Sequence, residues 1–152
     1  MVGAVGELVG ALAVVGSLVY VGRQMKQNTA AVRGATYLSI GQWIGHTYSQ
    51  WADSDRIPGL IQQFSGEGKK LSDFTPEDQT RIRLLLLAAV RGVETIHIQV
   101  QQGTLPSDAH DYMGGSWLHL PIAREVWPQI HADLSPAFVD YLESKYPLRS
   151  DE

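Results

Sequence analysis

The chain has 152 residues, 44% of them hydrophobic, a formal net charge of −4 at pH 7 and no cysteine. That length excludes two independent cores, and the missing cysteine excludes disulfides, thiolate metal sites and cysteine nucleophiles together. All but three of the 12 basic residues and all but one of the 16 acidic ones lie beyond residue 52, so the body is acidic and lacks the basic face by which nucleic acid would be held.

The first 22 residues are almost uninterruptedly apolar with Glu7 their one charge, and Arg23 and Lys26 follow at once. Leu8 to Gly22 supplies 15 uncharged residues, short of the roughly 20 that cross a bilayer. Adding Val2 to Glu7 makes 21 residues, about 31 Å of helix, the thickness of a hydrocarbon layer. The pattern predicts a membrane anchor over residues 1–22, carried by Leu8, Gly10, Leu12, Val15, Leu18 and Tyr20 and closed by Arg23, with Glu7 at the outer edge of the lipid. A cleaved signal peptide fits worse, because no basic residue precedes the run and no small-x-small site follows it.

Arg23, Lys26 and Arg33 all follow the span, so the positive-inside rule predicts a single-pass protein with its C-terminal body cytoplasmic. At about 1 kcal/mol per basic residue near anionic headgroups, these cations orient the helix rather than hold it. Gly6, Gly10, Ala13 and Ser17 put small residues on one side, a face suited to self-association. The competing expectation buries the same helix at the centre of a soluble oligomer.

Residues 23–152 read as one helical bundle domain whose first helix continues the anchor. No proline occurs before Pro58, and Met25, Thr29, Val32, Thr36, Ile40, Trp43, Thr47 and Trp51 recur at spacings of three and four, so one stripe runs to about Trp51, with Trp43, Tyr48 and Trp51 as core. Asp53 to Asp55 break the helix, and Pro58 with Ile57, Leu60, Ile61 and Phe64 starts a second, short one. Residues 65–73, rich in glycine and charge, read as a solvent loop open to cleavage or insertion.

Thr75-Pro76-Glu77-Asp78 combines a hydroxyl cap, proline at the first turn and acids near the positive helix end, and predicts a central core helix to about Gln102. Its face is Ile82, Leu85, Leu86, Ala89, Val93, Ile96 and Val100, with Leu84, Leu87, Ala88 and Val90 making the middle apolar nearly all round. Gly103 suits its end, and Pro106 forbids continuation. A fourth helix from Ser107-Asp108 through Tyr112, Met113, Trp117 and Leu120 is interrupted in pattern by Gly114-Gly115. Residues 122–130 form a short amphipathic piece, and Ser135 caps a last helix through Phe138, Val139, Tyr141 and Leu142. No strand alternation occurs, so the class is all-α: a long N-terminal helix plus a small bundle of about four further helices.

The apolar helix running into VYVGRQMKQNTAAVRGATY, the segment LSDFTPEDQTRIRLLLLAAVRGVETIHIQVQQGTL and the ending PIAREVWPQIHADLSPAFVDYLE together resemble a widespread group of small uncharacterised bacterial proteins. The group combines an N-terminal apolar helix, a Gln-Asn-Thr step and a helical cytosolic part. The resemblance covers nearly the whole chain and implies architecture alone, with no catalytic residue to carry over. Around Asp108 to Leu120, where the glycine pair and His119 stand, the chain departs from the group's more regular charged helix.

Glu94 and His97 form the chain's one Glu-x-x-His spacing, which puts a carboxylate and an imidazole on one helix face as in di-iron bundles; such centres need a second copy and more glutamates. A polar pair satisfied within a packed helix is the plainer reading. His46, His110, His119 and His131 fall on separate segments. Gly115-Ser116-Trp117 is not a nucleophile elbow, and Gly66-Glu67-Gly68 is not a phosphate loop. No catalytic residue or cofactor is therefore expected, nor a metal site beyond the alternative at Glu94 and His97. The expected role is a membrane-anchored interaction, scaffold or accessory protein with the lipid bilayer and a protein, or a second copy, as partners. The alternative is a bundle binding a small molecule or metal through Glu94 and His97, possibly an enzyme.

Overall fold

The computed structural model describes residues 2–146 and 148, and within the first turns the side chains of Val2, Ala4, Val5, Gly6 and Leu8 lie outside what it describes. The described chain is all-α, with six α-helices and no strand. It divides into two compact units, Met1–Ser39 and Ile40–Glu152.

Helix α1 spans Val2–Ala52. In the first unit every residue from Val9 to Ala35 is exposed, including Leu12, Val15, Leu18 and Tyr20. The polar residues here do not break the helix, because their hydroxyls bond back one turn: Ser17 Oγ donates to the Ala13 carbonyl at 2.8 Å and Thr29 Oγ1 to that of Met25 at 2.9 Å. Among the described residues no helix is long and apolar enough to cross a membrane. The expected span needs residues 2–8 to reach its length, and most of those side chains, Leu8 among them, lie outside the described residues.

The expected stripe holds only in part. Met25 and Val32 are exposed, and within the second unit the less exposed side of α1 is Ile40, Ile44, Thr47 and Trp51, with Ile44 taking the place predicted for Trp43. Past Ala52, Ser54 Oγ accepts from the N–H groups of Arg56 and Ile57 at 3.4 and 3.3 Å, which turns the chain into α2 (Ile57–Ile61) with Pro58 in its first turn. A single π turn over Gln62–Gly66 then sets Phe64 into the core. The predicted solvent loop is shorter than residues 65–73, because a 3₁₀ turn at Leu71–Asp73 brings Leu71 and Phe74 back into the core. Glu125 holds that return by accepting the Leu71 N–H at 2.7 Å.

Helix α3 (Pro76–Gln101) begins as its sequence dictates, with Thr75 Oγ1 accepting the Asp78 N–H at 3.2 Å, and ends at Gly103, whose φ of +69° suits glycine. Ile82, Leu85, Leu86, Val90, Val93 and Ile96 are buried, but Leu84 is 61% exposed, so the helix is one-sided where its middle was expected to be apolar all round. The predicted fourth helix is two pieces. Helix α4 covers only Ala109–Tyr112, Gly114 turns the chain at φ +111°, and a 3₁₀ turn follows over Gly115–His119. A side chain at Gly115 would stand 2.7 Å from the Tyr146 hydroxyl and 2.9 Å from the His110 carbonyl oxygen, so the second glycine is required by close approach.

Helices α5 (Pro121–Ile130) and α6 (Pro136–Lys145) complete the bundle. The main core joins α2, α3, α5, α6 and the tail residue Leu148 around Phe64, Ile82, Leu86, Ile122, Val126 and Phe138. A satellite core at the C-terminal end of α3 gathers Ile40, Ile96, Leu105, Ala109 and Met113.

Candidate functional site

Glu94 and His97 lie one turn apart on α3, as their spacing dictates, yet they serve different neighbours. Glu94 is buried; its Oε1 accepts the Ser135 N–H at 2.9 Å and its Oε2 accepts Arg91 Nη1 at 2.7 Å. Arg91 also donates to the Asp133 carbonyl. Burial pushes the Glu94 carboxyl up, and the Ser135 donors with the Arg91 guanidinium outweigh it, leaving the group below its ordinary value. Ser135 was expected to cap α6 with its hydroxyl; that hydroxyl makes no cap bond, and Glu94 takes the Ser135 N–H instead. Glu94 thus acts as a docking carboxylate, fixing the start of α6 against α3.

His97 turns to the satellite side. Its Nδ1 lies 3.2 Å from His110 Nε2, and His110 Nδ1 lies 3.4 Å from the Ser107 carbonyl oxygen. A carbonyl only accepts, so the Ser107 contact calls for a proton on His110 Nδ1. Tyr141 tilts against both rings, its centroid 4.3 Å from that of His97 and 5.1 Å from that of His110. Burial and the neighbouring His110 lower the His97 pKa, with Glu94 opposing, so neutral His97 is favoured. Spacing along the chain gave no sign of this pair, since it depends on how the Gly103–Pro106 turn returns α4 toward α3. Among the described residues no group of three or more His, Asp or Glu side chains is arranged to hold a metal ion.

The remaining histidines stay apart: His46 and His119 are exposed, and His131 bonds the Trp127 carbonyl through Nδ1 at 3.1 Å. The anchor residues Gly10, Leu12, Val15, Leu18, Tyr20 and Arg23 are all exposed on α1.

An apolar cleft lies elsewhere, among residues whose spacing predicts packing. Trp43, Ile44, Thr47, Tyr48 and Trp51 of α1, Ala89, Gly92 and Val93 of α3, and Met113, Gly114 and Trp117 line one cleft. Trp43 and Tyr48 are 43% and 47% exposed rather than core, and Trp51 is half-buried. Trp51 meets Trp117 edge to face at 5.6 Å, and Tyr48 tilts against Trp51 at 5.7 Å. Gly92 forms the seat of Trp43: a Cβ there would stand 2.1 Å from the indole. The sequence pattern gave no sign of this seat at Gly92. No protein-family model, curated protein or solved structure matches the chain.

Proposed function

We propose that the chain is a membrane-tethered helical protein that acts by contact, as a scaffold or accessory to a partner complex, with the N-terminal part of α1 in the bilayer and the bundle on the cytoplasmic side. One observation carries the reading: Leu12, Val14, Val15, Leu18, Val19 and Tyr20 are each more than half exposed on a continuous helix. Soluble monomers rarely leave so contiguous an apolar surface to water. Arg23, Lys26 and Arg33 directly after this stretch supply the asymmetry that orients a single span.

Fractionation with an alkaline carbonate wash tests it. The protein is expected in the membrane pellet, and Leu12→Arg with Val15→Arg, each costing about 2.5–3.5 kcal/mol at a span's centre, is expected to move it to the supernatant. Complete extraction of the unaltered protein by carbonate would reject the membrane reading. A large assembly in that extract would assign the apolar helix to a soluble oligomer. Cross-linking in mild detergent extracts tests the contact role, and a strictly monomeric, partnerless chain there would reject it.

A further inference from the structure

Helix α4 carries one titratable contact into the bundle. It spans only Ala109–Tyr112, its N-cap Asp108 makes no side-chain cap bond, and Gly103 and Gly114, both at positive φ, stand on either side of it. Two of its side chains are buried: Ala109, which joins Ile40, Ile96, Leu105 and Met113 in the satellite core, and His110, which meets His97 of α3. On the outside, Lys145 Nζ lies 2.7 Å from Asp111 Oδ1 in a surface ion pair, a kind of contact that contributes little to stability.

Protons act on the His97–His110 contact in two steps. The facing nitrogens, 3.2 Å apart, need one hydrogen between them. A neutral pair supplies it, and so does a pair with one imidazolium, which donates to its neutral partner. A second proton puts hydrogen on both facing nitrogens and like charges on rings whose centroids are 5.4 Å apart, so the bond is lost and the charges repel away from water.

Among the described residues the carboxylates near the pair are already engaged. From α3, Glu94 serves Ser135 and Arg91; from α4, Asp111 serves Lys145 of α6. Hydrogen bonding to Lys145 lowers the Asp111 carboxyl, and Glu94 lies low as well, so both stay ionised while histidines titrate. Helix α6 brings the rings of Phe138 and Tyr141 against His97 and, at its end, Tyr146, whose phenol is raised by burial. Helix α1 brings the apolar Ile40 and Ile44 to the adjoining core.

We propose that the His97–His110 contact is an acid-released latch, which keeps α4 and the satellite core closed with no proton or one and lets them open when both rings are charged. The main core persists, because its α3–α6 link runs through Glu94 and the Ser135 N–H rather than through the histidines. Burial and His110 lower the His97 pKa, so release belongs below the ordinary histidine value of 6.5. Opening frees Ile40 of α1 from Ile96 and Met113, which gives the bundle a proton-dependent hold on its longest helix.

Hydrogen exchange read by mass spectrometry tests the latch on the full-length chain in mild detergent, at about pH 7.5 and about pH 5, with rates corrected for the intrinsic effect of pH. Peptides covering residues 105–113 contain the bonded N–H groups of Leu105, Ala109, Asp111 and Met113. On acidification they are expected to lose at least about tenfold more protection than peptides covering residues 82–90 of the main core. His97→Gln and His110→Gln each keep a polar side chain and exclude the second charge. Either variant, shown folded by circular dichroism, is expected to hold that difference below about twofold. A further readout needs no substitution: the ring-proton NMR signals of His97 and His110 in the unaltered chain are expected to titrate in separate steps, with the exchange loss following the lower one. Protection that survives acidification, loss shared equally by both regions, loss unchanged in both folded variants, or loss that follows the upper ring titration overturns the proposal.

Discussion

At the scale of single residues, the glycine pair and the histidine pair set the local geometry around α4. Gly115→Ala is expected to destabilise the bundle measurably, because one of the two atoms it would meet is the backbone carbonyl oxygen of His110, which cannot swing aside as a side chain can. Thermal unfolding reads the loss; unchanged unfolding would mean that the turn relaxes freely. His97 behaves in the opposite sense to a histidine that gains an acidic partner. Its folded-state pKa lies below the ordinary histidine value of 6.5, so its contribution is complete above about pH 6.5 and is lost as the pH falls through the folded-state value. Urea unfolding across that range is expected to show stability falling toward acid, and His97→Gln to flatten the slope.

At the scale of elements, Glu94 links α3 to α6. Glu94→Ala removes the acceptor of the Ser135 N–H and the partner of Arg91, and is expected to cost about 1–3 kcal/mol, with Glu94→Gln milder because an acceptor remains. Chemical denaturation of both variants checks the order. These elements also separate what the sequence made legible from what it did not. The start of α3 was readable because Thr75, Pro76 and Asp78 are local chemistry, and its end because Gly103 is. The run of Ser107 to Leu120 was not, since helix propensity competes there with one backbone angle at Gly114 and one close approach at Gly115. The stripe on α1 erred at Trp43 for a related reason. Periodicity identifies a face, and only packing decides whether the face chooses Ile44 or the neighbouring indole. Glu94 and His97 were found by spacing, but their partners Ser135 and His110 lie 41 and 13 residues away, beyond the reach of any local pattern.

At the scale of the whole molecule, one ion-pair cluster joins the segment after α1 to the start of α3. Arg56 Nε donates to Asp78 Oδ1 at 3.0 Å, its Nη2 to Oδ2, and Thr75 Oγ1 and Arg81 Nη1 add contacts at 3.0 and 3.3 Å. The Arg56 guanidinium, helped by Thr75 and Arg81 against the cost of desolvation, holds the Asp78 carboxyl down to about 2 from 3.8. A depressed carboxylate stabilises above its unfolded value, so the contribution is intact above about pH 4 and disappears as the pH falls through about 2. Asp78→Asn is expected to be less stable at neutral pH and to lose less on acidification over that window, as acid titration followed by circular dichroism would show.

The place of Leu148 in the main core carries a consequence for biogenesis. That core takes residues from Leu60 to Leu148, so it closes only once synthesis has passed the far end of this span, whereas the greasy N-terminal part of α1 leaves the ribosome well before that point. For seconds, at about 5–20 residues translated per second, the nascent chain presents its stickiest surface before the main core can form. On the tethered reading, lipid delivery therefore precedes folding, and the bundle matures on a chain that has already arrived.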